Sequence, residues 1–153
     1  MTYEELTSEA VHQGLDIYEM PLKPRIKGLY SNNVIAINKY ISSNVEKVCV
    51  LAEELGHHHT SSGNILDQTK IANRKQEKRA RSWGYEKLIP LNAFIQAHKQ
   101  GVKNRFELAD HLGVTEEFLD SAINRYIEKY GTHVKVGLST IIFEPLGVLE
   151  LFE

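Results

Sequence analysis

The chain has 153 residues, of which 42% are hydrophobic and 25% charged, and its 18 Lys and Arg nearly balance its 20 Asp and Glu. This length fits one domain with a core of its own, and the near-neutral charge argues against a protein that coats nucleic acid. The single cysteine, Cys49, excludes an intramolecular disulfide framework and a Cys-rich zinc module. No apolar run approaches a membrane span and the N-terminus is acidic, so we expect a cytoplasmic protein that does not bind membranes.

The first half of the chain predicts a small sheet between helices. Residues 3–13 have helical apolar spacing and are followed by Gly14, and residues 15–20 alternate like a strand. Residues 26–30 and 34–38 are β-rich and flank the polar set Ser31-Asn32-Asn33, which is typical of a hairpin. A helix with one apolar stripe should then run from capping residues 42–44 to about His59 and break before residues 61–63.

The second half predicts further helices and a β-rich tail. A long helix should span about residues 68–87 and end before Pro90, and shorter helices should cover residues 92–100 and 105–111. Thr115 is the expected N-cap of a helix that runs to about Tyr130, with Gly131 after it. Residues 133–152 are rich in β-branched side chains, and Pro145-Leu146-Gly147 is the expected turn among them.

The helix that begins near residue 44 carries a pattern related to a metal-binding motif. Its sequence E-E-L-G-H places Glu53 and His57 four residues apart, on one helix face. In H-E-x-x-H helices the two histidines hold zinc and the glutamate is the general base. Glu53 stands where the first histidine would be, and Glu54 stands at the base position. Because a carboxylate can also ligate zinc, the pattern allows a metal site with added negative charge.

Plainer interpretations of the same residues remain open. Three consecutive histidines at residues 57–59 can simply complement the negative end of the helix dipole, and Glu and His four apart form an ordinary surface pair. A metal site would also need a third ligand from elsewhere in the chain. The sequence offers Asp67, Glu77 and Glu86 without a choice among them.

The order of elements and two motifs give the chain a resemblance over about residues 5–130. Its L-A-E-E-L-G-H helix matches six of the seven positions of the motif L-A-H-E-L-G-H. A second motif, E-A-x-x-F-A followed by L-L-x-P, is in register with Arg79-Ala80-Arg81-Ser82-Trp83-Gly84 and Leu88-Ile89-Pro90. In these features the chain resembles the ImmA/IrrE metallo-endopeptidase family of phages and mobile elements.

The resemblance implies an α+β fold with a mostly helical zincin-like core, a small N-terminal sheet, a helix-turn-helix-like segment and a β-rich tail. We expect a single domain, with the metallopeptidase-like core in residues 1–90, the helical segment in 91–131 and the tail in 132–153. The implied activity is that of a zinc-dependent endopeptidase acting on a repressor. Glu54 would be its catalytic base, and Glu53 and His57 would hold the metal.

The chain also departs from the family pattern at two ligand positions. Glu53 replaces the first histidine, and Arg79 stands in the register of the glutamate ligand. One hypothesis is a salt bridge between Glu53 and Arg79 in place of the metal bonds. The other is a rebuilt metal site that uses Glu53, His57 and Glu77, or His58 with Glu54.

Residues 106–123 carry a helix-turn-helix-like pattern, L-A-x-x-L-G-V-T, but the second helix is acidic at its start. Acidic side chains repel phosphates, so this segment favours protein docking over DNA binding. The basic stripe of Arg74, Lys78 and Arg81 is interpreted as a solvated helix face. Two alternative functions therefore stay open: a metal-free protein of the same fold that docks a repressor or another protein, and a DNA-binding regulator.

Overall fold

The structure is a computed structural model that describes residues 1–60 and 70–150, including the side chains of all of them except residues 70–72. It has the α+β architecture that the sequence predicts, and it contains two compact units, Met1–Gly84 and Tyr85–Glu153. The expectation of a single domain stays a prediction. Within the described residues, no helix is both long and apolar enough to cross a membrane.

The first unit is a three-stranded sheet with helices packed on it. Its elements are α1 (Tyr3–His12), β1 (Asp16–Met20), β2 (Gly28–Ser31), β3 (Val34–Asn38), α2 (Asn44–Thr60) and α3 (Lys70–Leu88), whose last turn belongs to the second unit. The strand order is β1-β3-β2, with β1 parallel and β2 antiparallel to β3. The central strand is therefore β3, and β2 is an edge strand.

The hairpin of β2 and β3 forms where the sequence predicts it. Asn32 and Asn33 adopt left-handed conformations, with φ of 45° and 64°, which asparagine tolerates better than most residues. Asn38, at the end of β3, is almost fully buried, and its amide donates hydrogen bonds to three backbone carbonyls of the preceding loop. This side chain fixes residues 22–26 against the sheet.

Helices α2 and α3 cross at small residues. A Cβ built on Gly56 would overlap the carbonyl oxygen of Ala80 and would lie 2.7 Å from its carbonyl carbon. One turn later in α3 and one turn earlier in α2, a Cβ on Gly84 would lie 3.2 Å from the backbone of Ala52. The absence of side chains lets the two backbones approach closely, as glycine does elsewhere. This crossing sets which residues of α3 can reach the E-E-L-G-H segment.

The second unit contains helices and an antiparallel sheet. Its elements after α3 are α4 (Leu91–Lys99), α5 (Arg105–Leu112), α6 (Glu116–Tyr130), β4 (His133–Val136), β5 (Ser139–Phe143) and β6 (Leu146–Glu150), with the strands in that order. Its core includes edge-to-face contacts of Phe94 with Tyr126 and Phe143. The buried Tyr126 hydroxyl donates a 2.7 Å hydrogen bond to the Ile89 carbonyl.

Two local expectations for this unit have different outcomes. Between α5 and α6, Gly113 has a φ of 69° and the Thr115 side chain accepts a hydrogen bond from the Phe118 N–H, so the predicted turn and cap are confirmed. The turn expected at residues 145–147 is wrong. Leu146 already pairs with Phe143 in the sheet, so the chain reverses at Glu144 and Pro145 instead.

Candidate functional site

The C-terminal half of α2 positions the acidic residues of the motif beside the edge of the sheet. Apolar residues such as Leu51 and Leu55 bury one face of the helix, which leaves Glu53 and Glu54 half-buried at its flank. Glu54 lies against β2. A Cβ built on Gly28 would be 2.9 Å from Glu54 Cγ and 3.2 Å from its Oε1. Glycine at this strand position therefore leaves the room that the Glu54 carboxylate occupies.

Helix α3 brings a further carboxylate to the motif histidine. Glu77 Oε2 lies 2.8 Å from His57 Nε2. The hydrogen bond to Glu77 raises the pKa of His57, and the same bond lowers the pKa of Glu77. His57 and Glu77 therefore form an ion pair whenever the imidazole is protonated. The structure joins these two predicted site residues directly, one from each helix.

The two glutamates of α2 lie in an environment that disfavours their charge. Burial raises the pKa of Glu54 to about 7, with the charge of His57 acting in the opposite direction. Burial also raises the pKa of Glu53, opposed first by the charge of Arg81. Two half-buried carboxylates beside a third one on Glu77 form an acidic cluster around a single imidazole. Such a cluster is stabilised by any cation that enters it.

Of the remaining sequence candidates, the structure describes Arg79 and Glu86 but not Asp67. Arg79 is exposed, and among the described residues it forms no ion pair with Glu53 within 4 Å. The Lys and Arg side chains whose charges act on Glu53 are Arg81, with the larger effect, and Lys27. Glu86 pairs with Lys129 in the second unit, at 3.1 Å. Asp67 lies outside the described residues. The salt bridge between Glu53 and Arg79 therefore stays a prediction, since the described residues show no contact between the two side chains.

The other two histidines of the helix end contact aromatic and amide side chains. His58 Nδ1 lies 2.8 Å from the Tyr30 hydroxyl of β2, so this side chain is turned towards the edge strand. His59 stacks on Trp83 with ring centroids 4.5 Å apart, and its Nε2 lies 3.1 Å from Gln13 Oε1. These contacts tie the end of α2 to its neighbours, and they separate the roles of His58 and His59 from that of His57.

The donor types of the cluster suit zinc, because imidazole and carboxylate are both ordinary zinc ligands. Their positions bring His57 and Glu77 together as a pair. In residues 1–60 and 70–150, however, no group of three or more His, Cys, Asp or Glu side chains is arranged to hold a metal ion. The arrangement therefore offers two converging donors, a neighbouring carboxylate on Glu53 and a proton acceptor on Glu54.

Sequence reasoning did not find the residues that assemble this cluster. Gly28 and Tyr30 lie on β2, and their roles depend on how α2 packs against that strand, which has no signature in the chain. The crossing of α2 and α3 did leave a signal. Ala and Gly recur four residues apart in both helices, at Ala52 and Gly56 and at Ala80 and Gly84, which is typical of closely approaching helices.

Comparison with known proteins gives a family but no individual relative. The family model described as "IrrE N-terminal-like domain" (Peptidase_M78) matches residues 10–124, which is most of the chain and includes both helices of the acidic cluster. No curated protein and no solved structure matches the chain. The M78 family is one of zinc metallopeptidases. From this match, the chain belongs to the IrrE N-terminal-like domain family, and it is an M78-type peptidase domain.

Proposed function

We propose that this domain is a zinc-dependent endopeptidase whose metal is held by His57, Glu77 and Glu53 and whose general base is Glu54. The observation that carries the proposal is the 2.8 Å contact between His57 Nε2 and Glu77 Oε2. It brings a carboxylate of α3 to the histidine of α2, and both are groups that ligate zinc. Glu53, four residues before His57, is the donor that must turn towards this pair.

Glu54 supplies the proton chemistry. Its half-buried carboxyl group has a pKa near 7, so at neutral pH it can both accept and return a proton. Glu54 takes a proton from the attacking water as the new C–O bond forms, and it passes that proton to the leaving amine nitrogen as the C–N bond breaks. When bound, zinc supplies a Lewis acid to this reaction. Gly28 leaves the space in which the Glu54 carboxylate sits.

The substrate that we propose is a repressor protein of a phage or mobile element, cleaved in the cytoplasm. The support for it is the resemblance of the L-A-E-E-L-G-H helix to the ImmA/IrrE family. The exposed acids at the start of α6, Glu116 and Glu117, add support for a protein partner, because they would repel a phosphate backbone. A nucleic-acid partner is accordingly not part of the proposal.

The first experiment measures zinc in protein purified without a histidine tag. We expect about one zinc per chain, and loss of that zinc in His57→Ala and Glu77→Gln. The matched control exchanges two residues of α3. In the double variant Glu77→Arg with Arg79→Glu the composition and net charge are unchanged, but the carboxylate moves to the other side of the helix. Zinc should be lost there too, and retained in Arg79→Gln.

A second variant separates the base from the ligands. Glu54→Gln should retain zinc and fold but lose cleavage of any protein substrate, because the amide cannot accept the proton. Stoichiometric zinc in the Glu77→Gln variant would contradict the ligand assignment. Less than about a tenth of a zinc per chain in the parent protein, even after dialysis against excess zinc, would reject the metallopeptidase.

One observation favours a second candidate, a metal-free binding protein of the same fold. His57 and Glu77 already satisfy each other, and the described residues contain no three-donor group. In this alternative the ion pair replaces the metal bonds, and the segment of α5 and α6 docks a repressor or another protein. Calorimetric zinc titration separates the two candidates. The alternative requires that added zinc neither binds nor raises the unfolding temperature.

A further inference from the structure

The second unit contains a cavity of about 340 Å³ between α4, the start of α5 and β6. This volume lies within the range of roughly 300–1,000 Å³ typical of small-molecule sites. Most of its wall is apolar, including Phe94, Leu108, Leu146 and Val148. The walls belong to elements that are already part of the core, since Phe94 and Leu108 are themselves buried.

Among the described residues, the cavity lining contains one basic side chain, Lys103, and one imidazole, His98. Within these residues the lining contains no Asp or Glu. In that same part of the chain, neither the His98 ring nor the Lys103 ammonium group has a hydrogen-bond or ion-pair partner. The nearest acid in sequence, Glu107, accepts the backbone N–H of Lys103 at 2.9 Å. The Lys103 ammonium group and the His98 ring are thus available to a ligand.

We propose that this cavity binds a small aliphatic monocarboxylate, with the hydrocarbon chain between Phe94, Leu108 and Val148 and the carboxylate at Lys103 and His98. An apolar wall favours hydrocarbon because its burial removes apolar surface from water. An unpaired ammonium group favours the anion over a neutral head group of the same length. The site shares no residue with the acidic cluster of α2 and α3, and it does not depend on the peptidase proposal.

The test is a titration of the full-length protein with octanoate, followed in ¹H–¹⁵N correlation spectra, with 1-octanol as the neutral analogue. We expect saturable shifts centred on the amides of Val102, Lys103 and Gly147, and weaker binding of 1-octanol. Because Lys103 is exposed, Lys103→Gln should weaken octanoate by only about two- to five-fold. It should leave 1-octanol unchanged, and Lys99→Gln, an exposed lysine outside the lining, should change neither.

A second pair of variants tests the cavity itself. Val148→Phe should fill it and weaken both ligands at least ten-fold, whereas Leu149→Phe, on the opposite face of the same strand, should not. The Lys103 variant keeps the test valid if Val148→Phe fails to fold, because an exposed side chain is not needed for folding. Absence of saturable shifts at the lining, equal affinity for octanoate and 1-octanol, or strongest shifts in residues 1–60 would each overturn the proposal.

Discussion

Replacing Gly56 by alanine tests the crossing of α2 and α3, on which the acidic cluster depends. The added Cβ would overlap the Ala80 carbonyl oxygen and lie 2.7 Å from the carbonyl carbon, whereas ordinary contacts begin at 3.4 Å. The obstacle is backbone, which cannot rotate away, so the helices must separate by at least 0.7 Å, the difference of those distances. A gap of this size removes about a quarter to a half of each van der Waals contact across the crossing.

Two free-energy contributions of opposite sign decide the outcome of Gly56→Ala. Alanine in a helix interior is more favourable than glycine by about 1 kcal/mol. Overpacking of a tightly packed contact destabilises by about 1–3 kcal/mol, and the upper end applies where the obstacle is backbone. The net expectation is a loss of about 2 kcal/mol in the free energy of unfolding. Gly84→Ala, whose Cβ would lie 3.2 Å from Ala52, should instead change stability by less than about 1 kcal/mol.

Urea unfolding followed by tryptophan fluorescence measures this difference. Trp83 is the single tryptophan of the chain, and its ring stacks on His59, so its emission reports on the packing of α3 against α2. The free energy of unfolding follows from linear extrapolation to zero denaturant. If Gly56→Ala is as stable as the parent, or gains the 1 kcal/mol that helix propensity alone predicts, the two helices do not approach as described.

Three further predictions follow from buried and titrating groups. Asn38→Ala should lower the unfolding free energy by about 2–3 kcal/mol in urea titrations, because three loop carbonyls lose their donor, and Asn38→Asp should not restore it. In the metal-free protein, stability should fall as the pH rises from about 5 to 8. Glu54 has a raised pKa near 7 and His57 a raised pKa, so both favour the folded state at low pH and lose that contribution above it. Thermal scans of Glu54→Gln should show a shallower slope, and an unchanged slope would contradict the assignment. Gly28→Ala should destabilise by about 1–2 kcal/mol because its Cβ meets Val50 and Glu54, and Val50→Ala should recover part of that loss in a double-mutant cycle.

The sequence predicts the elements whose signals are local. The hairpin follows from two asparagines that accept positive φ, and the start of α6 follows from the Thr115 hydroxyl that caps it. The prediction of a turn at residues 145–147 was wrong because Leu146 and Gly147 were assigned to the turn from residue type alone, whereas both pair with β5. Their pairing with β5 is a non-local property, and the chain reverses at Glu144 and Pro145.

The sequence predicts only the part of the candidate site that lies on α2. The E-E-L-G-H string locates Glu53, Glu54 and His57 because i and i+4 positions share a helix face. Which side chain of α3 reaches the site depends on the rotation of that helix about its axis, and an alignment to a sequence motif does not specify this rotation. Asp67, Glu77 and Glu86 were therefore equivalent candidates in the sequence, and it is the packing of the two helices that brings Glu77 to His57.

Helix geometry explains why Glu77, rather than Arg79, reaches the motif histidine. The crossing point on α3 is Ala80, and successive residues are rotated by about 100° in a helix of 3.6 residues per turn. Glu77 and Arg81 then lie about 60° and 100° to one side of Ala80, and Arg79 about 100° to the other. This agrees with the contact of Glu77 with His57 and with the action of Arg81 on Glu53. Because α3 supplies its own carboxylate on the correct side, the proposed metal site departs from H-E-x-x-H only in the exchange of the first histidine for Glu53.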